Sequence, residues 1–267
     1  MPDDAVLDTL KFGIGQPVLR TEDPKLLTGR GEYTDDYNAD GQAYATFLRS
    51  PVAHGNISAL ITDAAAAAPG VIAVYTGEDL RAAGIKDIPC PISVKSRDGS
   101  DAVVPERPSL AVGQVKHVGD PVAAVIAETA AQAREAADLI ELDIDILPSV
   151  ADPVEAEKDG APQVWEQAKG NTCLDFHWGD EDAVQKAFAD ADHVTRVTLT
   201  NTRMIVSAME PRATVAEYNP EFEKFTLHVG TQGVAGYRGA MSNMIGIDPD
   251  KMRIISKEVG GSFGMKG

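Results

Sequence analysis

The stretch from Val115 to Ile146 leaves the chain few ways to fold. Val115-Lys116-His117-Val118-Gly119-Asp120-Pro121 sets a tight turn, and Val122-Ala123-Ala124-Val125-Ile126-Ala127 then continues as a fully apolar strand. Glu128 to Ile140 reads as a helix: Thr129 caps it, its alanines and Arg134-Glu135 carry high helix propensity, and Ala133, Ala137 and Ile140 repeat at helical spacing. Leu142-Asp143-Ile144-Asp145-Ile146 alternates strictly, which gives a strand one apolar face. Strands and helices in such short order need layers of both, so the fold class is mixed α/β (α+β).

The preceding segments fit the same domain. Gln42–Arg49 and Ile57–Ile61 read as strands, Thr62–Ala68 as a short helix with Thr62 or Asp63 at its N-cap, Val71–Thr76 as a buried strand and Gly77–Leu80 as a helical turn. Residues 84–113 are loop-like and proline-rich. His54 sits between Pro51 and Gly55 with no carboxylate near it in sequence to orient it, so it reads as a loop residue and not a base. Residues 12–42 are polar and rich in turn formers, with Leu26-Leu27 as an apolar anchor. Their bases Arg20, Lys25 and Arg30 alternate with Glu22, Asp23 and Glu32 as on a solvated or partner-facing surface. These signals divide the chain into an extension over 1–21, a domain over 22–150, a linker over 151–172 and a second domain over 173–267.

In the second domain Gly179–Phe188 reads as an acid-capped helix, His193–Thr200, Ala213–Tyr218 and Phe225–Val229 as strands, and Ala235–Ile245 as a helix with Met241, Met244 and Ile245 on its apolar side. A closing strand leads into Glu258-Val259-Gly260-Gly261-Ser262-Phe263-Gly264-Met265-Lys266-Gly267. A backbone so free of side chains can approach a ligand closely, and taken alone it reads equally as a cofactor cradle or as a disordered tail.

Charge narrows the function. With 24 Lys+Arg against 41 Asp+Glu the net charge is −17, which repels nucleic-acid phosphates and anionic lipid surfaces. Cys90 and Cys173 are the two cysteines, far apart and without a C-x-x-C partner, so neither a disulfide framework nor an iron–sulfur or zinc site is expected. No secretory signal or membrane-spanning run is present, and the expected location is cytoplasmic.

Read in order, EDPKLLTGRGEYTDD (22–36), RSPVAHGNI (49–57), PGVIAVYTGEDL (69–80), HVGDPVAAVIAETAAQA (117–133), MEPRATVAEY (209–218), GTQ (230–232) and VGGSFGMK (259–266) resemble the molybdenum-binding large subunit of the xanthine dehydrogenase, aldehyde oxidase and carbon monoxide dehydrogenase family. The resemblance implies an α/β hammerhead domain followed by the beginning of a molybdopterin-binding domain. It matches Gln232 to a glutamine whose amide lies close to an oxygen ligand of molybdenum. It matches Gly260, Gly261, Ser262, Phe263 and Gly264 to a loop whose backbone lies against the metal centre, with Ser262 where the family has a third glycine. No direct metal ligand and no catalytic residue is carried over, because the family's glutamate base lies near the far end of much longer chains. Glu210 is read as structural, holding Arg212 or backbone amides.

The resemblance further implies molybdopterin, in its cytosine dinucleotide form, and partners that supply FAD on a medium subunit, a 2Fe-2S centre on a small subunit and the remainder of the molybdenum subunit. The complete enzyme would hydroxylate an aldehyde or N-heterocycle with water-derived oxygen. Carbon monoxide is the alternative substrate, and Gly267 stands where purine-oxidising members carry a glutamate. This chain is expected to be a fragment or split subunit, inactive alone. A non-catalytic assembly piece or gene remnant is the competing reading.

Overall fold

The computed structural model describes residues 19–202 and 204–267, so nearly all of the expected 1–21 extension lies outside the described residues. Among the described residues there are three sheets of three strands each. The first has the order β1 (Tyr44–Arg49), β5 (Pro121–Ala127), β3 (Val71–Thr76), and the second the order β4 (Gln114–Val115), β2 (Gly55–Ile61), β6 (Glu141–Ile146). All pairs in these two sheets are antiparallel.

Strand β5 explains its own composition. It is hydrogen-bonded on both edges, with Val125 opposite Thr46 of β1 and Val74 of β3, and its two faces serve two cores. Ala123 and Val125 pack with Ala65, Ala136, Ala137 and Ile140, while Val122 packs with Ala111 and Val115, joined by Ile57, Leu142 and Ile144 of the second sheet. A strand shared by two cores has no solvent face, so none of its side chains can be polar without a buried partner. The helix against it, α4 (Ala130–Ala137), is capped by the Thr129 hydroxyl, which accepts from Gln132 N–H, and its alanines permit close approach to the sheet. It is shorter than the 128–140 expected. The Glu128 N–H donates to the Gly70 carbonyl, and the Leu139 and Ile140 N–H groups turn back three residues instead of four.

Two further helices flank β3: α2 (Asp63–Ala66) before it and α3 (Gly77–Ala82) after it, the latter capped by the Thr76 hydroxyl and the Asp79 carboxylate in reciprocal fashion. β3 itself is not the buried strand expected, for Ile72 is 61% and Tyr75 46% exposed. It is an edge strand with one open face. Residues 23–27 form a short helix, α1 (Asp23–Leu27), started by Pro24, and Leu27 is exposed, not an anchor; Leu26 is half-buried. The 151–172 connection carries the short helix α5 (Pro153–Ala156) and is pinned by the Asn171 amide, which donates to the Ala156 and Pro162 carbonyls.

The third sheet runs β7 (Thr214–Asn219), β8 (Lys224–Val229), β9 (Met252–Ile255). β7 and β8 form an antiparallel hairpin, and helix α7 (Val234–Ile245) crosses from β8 to β9, which lie parallel. Helix α6 (Glu181–Asp190) is capped by Asp180 as expected and is exposed along its length. Residues 193–200 are not the strand expected: among the described residues no strand pairs with them, and Val197 and Leu199 are exposed. Alternation marks a side-chain pattern, but a strand also needs an edge to bond to.

Val125→Ala should lower the unfolding free energy by about 2 kcal/mol by leaving a cavity between the sheet and α4. Ile72→Thr on the open face of β3 should change it by no more than about 0.5 kcal/mol. Urea midpoints compared between the two variants check this, and equal midpoints would contradict the placement of the core.

Candidate functional site

The third sheet brings three loops to one end. Because β8 and β9 are parallel, with Phe225 opposite Met252 and His228 opposite Ile255, the segments that follow them emerge side by side. One is Gly230-Thr231-Gln232 and the other is Lys257–Gly267. β7 runs the other way, with Thr214 opposite Val229, so Met209–Ala213, which precedes it, arrives at the same end. The carboxyl ends of adjacent parallel strands are where open α/β sheets place ligands.

Glu210 binds these loops together. Its carboxylate is buried and accepts from the Lys266 ammonium at 2.6 Å, from Gly260 N–H at 2.7 Å and from Thr34 N–H at 3.3 Å. Its own N–H donates to the Gly260 carbonyl at 3.2 Å. The expectation that it holds backbone amides is met at Thr34 and Gly260, but Arg212 is exposed and the cation is Lys266 instead. Burial pushes the carboxyl's pKa up, yet the Lys266 ammonium and the two amide donors outweigh it, so the group lies below the 4.5 usual for glutamate. Only glycine fits at 260: a Cβ there would sit 2.5 Å from Glu210 Cβ.

Lys266 also carries the second loop. Its carbonyl accepts from Gln232 N–H at 2.8 Å and from the Thr231 hydroxyl at 3.0 Å, and its own N–H donates to the Ser262 hydroxyl at 3.0 Å. Ser262 therefore closes the turn it sits in. Gly261 at φ 99°, Phe263 at φ 51° and Gly264 at φ 87° are left-handed; for Phe263 this costs about 1 kcal/mol, strain of a kind found at ligand-binding loops. The Phe263 side chain is 76% exposed.

Free donors remain at this end. Among the described residues the N–H groups of Gly261, Ser262, Phe263 and Gly264 donate no hydrogen bond, nor does the exposed Gln232 carboxamide. With Glu210 neutralised by Lys266, the set is uncharged and rich in N–H donors. Such a set fits an oxygen-rich anionic cofactor, whose oxygens need donors and would be repelled by an unpaired carboxylate. Lys266 and Thr231 were not singled out from sequence. A lone lysine inside a glycine-rich apolar stretch is the signal that could have found the first, since such a charge needs a buried partner.

The amino-terminal domain reaches this end twice more. The Tyr37 ring stacks on His228 with centroids 3.6 Å apart and its hydroxyl donates to Glu217 at 2.5 Å, while His228 Nε2 lies 3.2 Å from the same carboxylate oxygen. Glu258 meets Lys25 at 2.7 Å and accepts from Glu32 N–H at 2.8 Å, and Lys257 meets Glu32 at 2.9 Å. His54, far from these loops in sequence, is buried with Nδ1 on the Pro148 carbonyl at 3.0 Å, so it is part of the packing.

The family model for the aldehyde oxidase and xanthine dehydrogenase a/b hammerhead domain matches residues 28–148, and that for the molybdopterin cofactor-binding domain matches residues 164–267. The chain belongs to the aldehyde oxidase and xanthine dehydrogenase family. The first two sheets with α4 form the hammerhead, and the third sheet opens the molybdopterin-binding domain. The chain is 36% identical to the nicotine 6-hydroxylase large subunit of Paenarthrobacter nicotinovorans over 95% of its own length and 30% of the relative's. It is 32% identical to the carbon monoxide dehydrogenase large chain of Hydrogenophaga pseudoflava, covering 92% of this chain and 31% of that one. A solved carbon monoxide dehydrogenase from Oligotropha carboxidovorans superposes with a TM-score of 0.80 at 29% identity, over 95% of this chain and 32% of the other. The chain thus spans about a third of the length of these relatives.

Glu210→Gln should destabilise the protein by about 3 kcal/mol at neutral pH, because it leaves the Lys266 ammonium buried and unpaired. Since the Glu210 pKa is lowered by folding, its contribution is present above pH 4.5 and is lost as pH falls through the folded-state value. Denaturation midpoints should therefore differ between wild type and Glu210→Gln at pH 7 and converge in acid; a constant difference would refute the pairing.

Proposed function

We propose that this chain is part of the molybdenum-binding large subunit of a hydroxylase that inserts water-derived oxygen into an N-heterocycle or aldehyde. The observation that carries the reading is the set of free N–H donors at residues 261–264 beside Gln232 at the ends of β8 and β9. Gln232, Gly260, Gly261, Ser262, Phe263 and Gly264 would hold the cofactor: Gly260 and Gly261 by close backbone approach, Ser262 by fixing the turn, and Gln232 by donating its amide without adding charge. When bound, a molybdopterin cofactor, here in its cytosine dinucleotide form, supplies a metal able to take two electrons from substrate. The protein's own part at this end is orientation, through the Glu210–Lys266 pair, and neutral hydrogen bonding through the loop amides.

Electrons would leave through a 2Fe-2S small subunit and a FAD-binding medium subunit in a cytoplasmic complex. Domain limits of 22–150 and 173–267, joined by 151–172, accompany this reading. A relative named for nicotine 6-hydroxylation and a solved quinoline 2-oxidoreductase support the N-heterocycle over the aldehyde. Carbon monoxide is the second substrate reading, supported by the carbon monoxide dehydrogenase relatives. A purely structural role in assembly is the third.

Purified from cells that also make its partner subunits, the assembly should contain molybdenum by elemental analysis, and its absence from every assembly holding this chain would sink the enzyme reading. Within a loaded complex, Gln232→Ala should reduce turnover about 10- to 100-fold while the complex elutes unchanged on size exclusion. Unaltered turnover would remove Gln232 from the site.

A further inference from the structure

A half-open cleft of about 600 Å³ lies where the loop before β5 meets the 164–167 stretch of the connection, and it shares no lining residue with the glycine loop. One wall is Trp165, with the Lys116 ammonium 5.0 Å from its ring centroid. Lys116 is half-buried and is held by the Gln114 side-chain oxygen and the Val164 carbonyl, at 2.9 Å for the latter. Both acceptors are uncharged. Burial pushes the Lys116 pKa down, against the more distant pull of Glu166 and Asp120.

The acids of the cleft are largely engaged elsewhere. Asp120 accepts from the Lys116 N–H at 2.9 Å and lies 3.7 Å from His117 Nδ1, and Glu106 lies 3.9 Å from Arg81. Glu166 is exposed at the rim. Lys116 and Arg107 thus line the cleft with no ion-pair partner among the described residues, in a chain whose net charge is −17. A partly desolvated cation in contact only with neutral acceptors gains from a counter-charge. The volume suits a small molecule, and a cleft lined by both a guanidinium and an ammonium suits oxyanions.

We propose that this cleft binds a small organic anion through a carboxylate or phosphate group, with Lys116 and Arg107 as the anchoring charges. The site is separate from the proposed cofactor loop, and its test does not depend on molybdenum. Isothermal titration calorimetry of the purified protein, with citrate and with inorganic phosphate in separate runs, reads it directly. Saturable binding of either at one site per chain is expected, and whichever binds identifies the recognised group as carboxylate or phosphate. Arg107→Gln should weaken that binding at least tenfold, about 1.4 kcal/mol. Lys116→Met should do the same. Arg107 is exposed, so its variant keeps the fold and carries the test even where Lys116→Met lowers the melting temperature. Saturable binding of neither anion, or binding unchanged in Arg107→Gln, overturns the proposal.

Discussion

The buried carboxylate of Glu210 is the point on which the loop end of the third sheet depends. Three partners converge on it from two distant stretches of chain: Thr34 before the first sheet, and Gly260 and Lys266 of the loop that follows β9. Burying a carboxylate is costly unless its lone pairs are filled, and here a full ammonium and two amides fill them. The pair contributes little net stability compared with an apolar replacement, but it has only one arrangement that satisfies both charges. It therefore fixes where Lys266 goes, and the Lys266 carbonyl then fixes Thr231 and Gln232. One ion pair positions two loops.

Topology makes that convergence possible. A parallel β8–β9 pair joined through α7 must discharge both following loops at the same end, and the antiparallel β7 must deliver its preceding segment there. In the hammerhead the same role of organiser falls to β5, which works by hydrophobic burial on two faces and not by charge. One domain is organised by a strand with no polar side chain, the other by a buried carboxylate.

That contrast explains what could be read from the sequence. β5 was legible from its unbroken apolar run and α4 and β6 from their periodicity, because both patterns report burial, and β8 and α7 followed from periodicity too. The glycine loop was legible by composition and resemblance, and the structure places 260–264 after β9 with the Gln232 backbone tied to it through Lys266. The Glu210–Lys266 pair was not legible, since nothing local in either stretch names a partner more than fifty residues away. Residues 193–200 and Leu27 failed for a related reason: an apolar pattern states what a side chain could cover, and the covering surface lies elsewhere in space.

The ties between the hammerhead and the third sheet are unequal in kind. The contacts of Lys25 with Glu258 and of Lys257 with Glu32 are partly solvated, so ionic strength weakens them and each contributes little. The Tyr37–His228 stack, with Glu217 bridging hydroxyl and imidazole, is better shielded on the His228 side, and Glu217 raises the Tyr37 pKa by accepting its hydroxyl proton in a hydrogen bond. The Thr34 N–H on Glu210 is buried. Residues 32–37 therefore grip the third sheet at graded depth, from a salt-sensitive rim to a buried centre. The buried centre is the carboxylate that also holds the glycine loop, so loosening the amino-terminal segment at Thr34 would disturb that loop directly, without passing through the hammerhead core.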